Sequence, residues 1–409
     1  MYTNPVKVRE ALKVAEVVAV AVTKQMKKLF HKLVLPALLI FCHVSSAAVL
    51  PEERSDALYH SYDGGGVTID GPSILVRKNF AETISISANY YVDSVSSASI
   101  DVTTSGASKY TEERTEYSLG ATYLIDKSLL SAGITRSDEN DYQGSSAFFN
   151  VSQDIFGDLT NISFGYARGN DTVSQNGNDE FEETIDRQNY QFGLSQIVTK
   201  NLILGLNYEN INDEGFLNNP YRNYRFINSD ENSKKGFKLL QEVYPATRTS
   251  DALTIRAAYY LPYRAALKFE YRYFTDDWGI DANNYQIKYT HPINDNWTID
   301  VKYRAYKQSQ ADFYKDLFLF ESQGPKDYRA RDKELSDFEN QTIGIGLSYY
   351  FVTSFSSHIE KSKIGLQWDY IDFNYNNFSN LHDESAAVGE EELYSFDANV
   401  IKLYLSIWY

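Results

Sequence analysis

From residue 80 onward the apolar residues of this chain recur at every second position. Strand side chains point alternately to opposite faces, so each such run predicts a strand with one continuous apolar face. The clearest runs are Ile84, Ile86, Ala88, Tyr90; Tyr117, Leu119, Ala121, Tyr123, Ile125; Leu202, Leu204, Leu206, Tyr208; and Leu253, Ile255, Ala257, Tyr259. They continue with Leu267, Phe269, Tyr271, Tyr273; Trp297, Ile299, Val301, Tyr303; Ile343, Ile345, Leu347, Tyr349; Ile364, Leu366, Trp368, Tyr370; and Ile401, Leu403, Leu405, Ile407, Tyr409. Weaker runs near 129–136, 146–155, 160–168, 186–198 and 283–290 bring the expected count to about fourteen strands, with twelve and sixteen as the neighbouring even numbers.

The connections separate a soluble sandwich from a membrane barrel. Every second one is short, near 126–128, 156–158, 199–201, 261–263, 292–295 and 352–357. The intervening ones are mostly long and polar: 93–111, 137–146, 169–185, 211–250, 276–282, 308–338 and 375–392. Short turns at one end and long loops at the other are the layout of an antiparallel outer-membrane β-barrel, with both chain ends on the periplasmic side. Aromatic residues close many of the apolar faces, as girdles at the two membrane interfaces require. The final strand, with Leu405, Ile407 and a terminal Tyr409 on one face, is similar to the carboxy-terminal signal by which the barrel-assembly machinery recognises such proteins, although Tyr404 stands where glycine is common. A secreted soluble sandwich is the competing reading, and it would not need an apolar outer face on every strand.

The first part of the chain reads differently. From Met26 it carries a basic stretch (Lys27, Lys28, Lys32), an apolar run from Leu33 to Val44, and small residues at Ser45, Ala47 and Ala48. This is the layout of a cleaved secretory signal over residues 26–47. Met26 then serves as an alternative start, with residues 1–25 a start-site artefact. The expected organisation is completed by 48–79 as a periplasmic lead, an inserted plug or two further edge strands, and by 80–409 as the barrel.

Composition narrows the chemistry. No run of about 20 apolar residues exists to make a membrane helix, and the 33 Tyr and 23 Phe argue against disorder. The formal charge is -16, and loss of residues 1–47, with their seven bases and two acids, leaves -21. So acidic a chain is ill suited to nucleic acid, whose phosphates demand Lys and Arg. The single cysteine, Cys42, lies in the signal, which excludes disulfides and thiol chemistry from the exported part. No zinc-type spacing joins His60, His291, His358 and His382, and no His shares a strand with a serine nucleophile and an acid; neither a metal nor an enzymatic activity is expected. His60 with Asp63, and the acidic stretches at 137–141 and 178–183, read better as a hydrogen-bonded turn and solvated loops than as cation sites.

If the apolar faces meet lipid, their alternates line a lumen. The early strands offer small or uncharged groups such as Ser87, Asn89, Gly120, Asn150, Ser163, Gly193 and Asn207. Later strands offer Arg256, Lys268, Glu270, Arg272, Lys288, Asp300, Lys302 and Arg304, six bases against two acids. Such a wall focuses a field that draws anions. Alternatively, Glu270 and Asp300 pair with neighbouring bases across strands and simply hold the wall together, and this is the better-weighted reading.

The segments YHSYDGGGVTIDGPSILVRK (59–78), SANYYVDSVSSASIDV (87–102) and YTEERTEYSLG (110–120) resemble the domain of unknown function 3570 family. That resemblance implies a Gram-negative outer-membrane barrel encoded near periplasmic flavin transferases and small lipoproteins. Asp93, Ser96, Ala98 and Ser99 are similar to the D-x-x-[ST]-G-A-[ST] motif of those transferases, which implies covalent FMN on Ser99, with Ser97 replacing the usual glycine and Ser99 the commoner threonine. The expected function is a channel or transport component with a polar, partly basic lumen, in contact with outer-membrane lipid. The alternative is a flavinylated, redox-associated scaffold working with a periplasmic transferase or lipoprotein, and an outer-membrane enzyme ranks behind both.

Overall fold

The computed structural model describes residues 48–97, 110–228, 236–352, 358–382 and 386–409. Sixteen of its strands form one closed antiparallel barrel in which sequence neighbours pair throughout. They are β1 (Arg54–Gly64), β2 (Val67–Phe80), β3 (Ile84–Ser97), β4 (Tyr110–Ile125), β5 (Ser128–Asp138), β6 (Tyr142–Ile155), β7 (Thr160–Gln175), β8 (Asn178–Thr199) and β9 (Leu202–Gly215). After the hairpin of β10 (Asn223–Ile227) and β11 (Phe237–Gln241), which stands outside the wall, come β12 (Thr247–Tyr260), β13 (Ala266–Asp276), β14 (Asp281–Pro292), β15 (Trp297–Gln308), β16 (Phe338–Phe351), β17 (Lys361–Ser379) and β18 (Leu393–Trp408). Pairing of β1 with β18, Tyr59 opposite Leu403, closes the cylinder and leaves no free edge.

The strand count exceeds the expected fourteen by two, because residues 54–80 are not a lead or plug but the first hairpin of the wall. Their apolar signal is weak for a physical reason. On β1 Tyr59 is the one large apolar side chain strongly exposed on the outer face, and the outer face of β2 carries chiefly Ile74 and Val76. Between β2 and β3 the ladder also skips Gly71 and Pro72, and proline has no N–H to give. Gly65 and Gly66, at φ +59 and +77, supply the left-handed pair that a two-residue hairpin turn demands. A second correction concerns 169–185, read as a loop: β7 and β8 instead run on as a paired extension to Gln175 and Asn178.

Large apolar side chains are exposed all around the outer face, Leu119 at 53%, Ile345 at 46% and Leu403 at 46% among them. In water this would be untenable, whereas in lipid it is the required surface. Tyrosines mark the long-loop edge of the belt, and several are held there by acids just beyond it: Tyr208 donates to Asp251 at 2.5 Å and Tyr273 to Asp281 at 2.7 Å. No helix among the described residues is long and apolar enough to cross a membrane; the crossing is made by strands.

Apolar packing is concentrated instead beyond the long-loop edge. The described parts of three connections, 216–228 with 236–246, 309–337, and 380–382 with 386–392, fold together into a cap. Trp278, Ile280, Ala311, Tyr314, Ala330 and Leu335 form one small core, and Tyr224, Phe226 and Phe318 form another.

Candidate functional site in the lumen

The inward faces of β3 to β9 carry the uncharged groups expected of them, and these bond across the wall, as Thr122 Oγ1 does with Ser131 Oγ at 3.0 Å. The predicted basic stripe on β12 to β15 is present but largely neutralised. Arg256 Nε donates to Glu270 at 2.6 Å, and Lys288 meets Asp300 at 3.2 Å. Two further acids complete the ladder: Glu209 on β9 pairs with Arg272 at 2.9 Å, and Asp369 on β17 with Lys302 at 2.8 Å. The sequence reading missed both, although each sits one step inward from an outward aromatic, Tyr208 and Trp368. Arg304 differs, because its Nε bonds an amide oxygen, Asn284 Oδ1, at 2.5 Å. Neither Arg304 nor Lys268 makes an ion pair among the described residues.

A second inward cluster was not foreseen. His60 does not partner Asp63, which instead accepts a weak bond from Thr68 across the turn. His60 Nε2 lies 2.7 Å from Asp93 Oδ1, two strands away, and its ring stacks on Tyr91 with centroids 5.2 Å apart. Gly71 permits this. It stands opposite His60 on the intervening β2, and a Cβ there would overlap the carbonyl oxygen of Val92. Asp93 and Ser96 of the flavin-type motif therefore belong to β3, with Asp93 buried and hydrogen-bonded to His60, while Ala98 and Ser99 lie outside the described residues. The folded wall does not present Asp93 to a transferase.

Acidic groups also gather above the belt. Ligand oxygens of Glu112, Glu139 and Asp141 come within 4.8 Å of one another, so part of the 137–141 stretch is not simply solvated. Burial and the two neighbouring carboxylates push Glu112 up to about 7, so a retained proton relieves their repulsion.

The cap is tied by a buried ionic network. Arg225, fully buried, donates to Glu391 at 2.5 and 3.0 Å, to the Asp316 carboxylate, and to the Asp316 carbonyl at 2.8 Å. Arg331 reaches Asp316 at 3.0 Å and the Ser379 carbonyl at 2.9 Å. One network thus binds three separate loops.

Beside it, Glu242 accepts from the Arg331 N–H at 2.6 Å and the Tyr244 hydroxyl at 2.5 Å. Burial, then the charge of Asp332, pushes its carboxyl up to about 7; Arg222, near Asp332, opposes this only in part. A raised carboxyl binds its proton more tightly in the folded cap than in the unfolded chain. Cap stability should therefore fall as pH rises from about 4.5 through 7, by on the order of 3 kcal/mol from this group. Asp316 and Glu391, both held low by their arginine partners, act oppositely and only at more acidic pH. Amide exchange in 237–246 at pH 5 and pH 8 checks this: protection should drop at pH 8 in the native chain and change little in Glu242→Gln.

A recess of about 840 Å³ is on the outer wall between Ile74, Leu119, Ala147 and Arg168, facing lipid rather than the charged lumen.

A family described as protein of unknown function (DUF3570) matches residues 106–370, most of the wall. The chain belongs to this family. No curated protein matches its sequence. Among solved structures, the family member is similar to a bacterial polysaccharide outer membrane secretin, at 8% identity and a TM-score of 0.47, covering 88% of this chain and 99% of that one. It is similar to OmpT of Vibrio cholerae at 10% identity and a TM-score of 0.38, over 89% and 100% of the two chains. For the siderophore receptor PirA from Pseudomonas aeruginosa the values are 10% and 0.38, over 88% of this chain and 63% of the receptor, so the chain spans less than two thirds of that protein. Closed topology, apolar exterior and polar interior together make this DUF3570 protein an outer-membrane type of β-barrel.

Proposed function

We propose that the protein is a channel or transport component of the Gram-negative outer membrane, exported by a signal cleaved after Ala47 or Ala48 and inserted by the barrel-assembly machinery. One observation carries the reading: sixteen strands enclose a wall whose inward side chains are mostly polar or charged, while the outward ones are mostly apolar. Barrels of this strand number are wide enough to leave an aqueous passage, and a polar interior has no purpose in a merely lipid-anchored scaffold. The cap narrows the outer mouth from the β12 to β18 side, where Gln308 Nε2 on the inner wall donates to the carbonyls of Glu334 and Ser336, both at 2.9 Å.

Swelling of liposomes containing the purified full chain tests the proposal. Small neutral sugars should enter at rates well above protein-free vesicles, and loosening the cap through Arg225→Met should raise the rate several-fold. Absence of flux with both proteins would overturn a channel role.

A further inference from the structure

We propose that a recess in the luminal wall, with Lys268 among its side chains, binds a small polyhydroxylated solute carrying one oxyanion, a sugar acid or a sugar phosphate. The recess has a volume of about 390 Å³ and runs from β7 to β14. It exists because small side chains face inward there: Ser163 on β7, Gly193 and Ser195 on β8, Gly205 on β9 and Ala258 on β12. Beside them come the longer side chains of Arg256, Lys268, Glu270, Gln286 and Lys288. A space of this size is at the lower end for small-molecule sites, so the occupant is one sugar-sized molecule and not an oligosaccharide.

The charges that border the recess do not cancel. Glu270 is the one acid among its described side chains, and Arg256 Nε donates to it at 2.6 Å. Arg256 gives a further hydrogen bond to Asn207 Oδ1 at 3.2 Å. Lys288 meets Asp300, which stands outside the recess, at 3.2 Å. Lys268 is left, exposed to the lumen and without an ion pair among the described residues. Its register partner on β14 is Lys288, and Lys302 of β15 follows, so three ammonium-bearing side chains stand abreast on one face. Like charges directly opposite one another destabilise a sheet. Asp300 and Asp369 offset two of the three. The third has no counter-charge in the wall, and an anionic ligand supplies it. Neutral groups decide what else that ligand carries. The side chains of Ser163, Ser195 and Gln286 border the recess and make no hydrogen bond among the described residues. Hydroxyl and amide groups of this kind both donate and accept, as the hydroxyls of a sugar require, while the free ammonium keeps three donors for the oxyanion.

The site rests on the reading of this wall as a water-filled lumen, and not on passage across the membrane. Calorimetric titration of the detergent-purified full chain with gluconate and with glucose 6-phosphate at low ionic strength tests it, with glucose as the neutral comparison. At least one of the two anions should bind, and glucose should bind far more weakly. Lys268→Gln should weaken anion binding roughly tenfold, the loss of one charge-assisted contact, whereas Lys268→Arg should keep most of it. Gly205→Leu fills the recess without removing a charge. A Cβ there would meet nothing nearer than the Arg256 Cβ at 3.7 Å, so the wall tolerates it, and binding should again fall. Lys307→Gln, at an exposed outward position, should bind as the native chain does. Heat-dependent migration in gels establishes that each variant is folded. Equal binding by native protein, Lys268→Gln and Gly205→Leu, or glucose bound as tightly as the anions, would overturn the site and leave Lys268 a solvated side chain of the wall. Binding without flux in liposomes would support the site and remove the channel, whereas flux without anion binding would do the reverse.

Discussion

Replacing Arg225 by methionine melts the cap and leaves the barrel standing. The substitution removes the guanidinium that joins β10 to both Asp316 and Glu391. Asp316 keeps Arg331 and the Ser379 hydroxyl, at 2.8 Å, but Glu391 is left buried with little beyond the Gly389 N–H. An uncompensated buried charge costs about 3–5 kcal/mol, more than the small aromatic clusters of the cap can absorb. The wall does not share this fate, because its ladders pair strand to strand from β1 to β18 without using Arg225. Limited trypsin digestion should cut within 216–246 and 309–337 in the variant at concentrations that spare the native chain, while heat-dependent gel migration stays native. Glu391→Gln in the same background should restore part of the resistance, since it removes the stranded charge. Unchanged digestion of Arg225→Met would show that the network does not hold the cap.

Gly71→Ala should weaken the barrel itself. Its Cβ meets the backbone carbonyl of Val92, which cannot rotate aside as a side chain would. The β2 and β3 strands must separate locally, at a point where the ladder is already interrupted, and His60 loses its path to Asp93. Overpacking of this kind costs about 1–3 kcal/mol. Thermal unfolding in detergent should show a lowered midpoint and a larger fraction of heat-unmodified, unfolded band. Gly324→Ala is the matched comparison, because nothing lies within 4 Å of a Cβ there, and it should be nearly neutral. Equal midpoints for the two variants would mean that β2 relaxes freely.

Alternation was legible wherever the outer face was uniformly apolar. On β16, Ile343, Ile345 and Leu347 face outward and the glycines between them inward, as their spacing implies. It failed on β1 and β2, where Tyr59, Ile74, Val76 and the terminal Phe80 carry the outer face and Gly71 and Pro72 break the run. The terminal signal read from Leu405, Ile407 and Tyr409 coincides with a closing role, since Leu405 and Ile407 pair with Ala57 and Ser55 of β1. Tyr404, the departure from the usual glycine, fills the space over Gly365, where a Cβ would enter its ring, and its hydroxyl lies 2.6 Å from Ser348 Oγ. The candidate lumen charges alternate with the apolar outer face, and Glu270 and Asp300 pair with neighbouring bases as the better-weighted reading had it, whereas the two further acids, Glu209 and Asp369, were not foreseen.

The sequence by itself determined that this is a β-barrel with an apolar outside and a polar inside, because alternation is a property of neighbouring residues and needs no knowledge of the distant chain. Only the tertiary structure decided which charges meet. Arg272 and Glu209 are 63 residues apart, and Arg225 and Glu391 are 166 apart. Such pairs are created by register, closure and loop folding, which depend on every strand at once. The same holds for what is left over. Arg304 is left without an ion pair among the described residues because the nearby acids Glu270 and Glu209 pair with Arg256 and Arg272, a fact about the assembled wall and not about the residues that flank it.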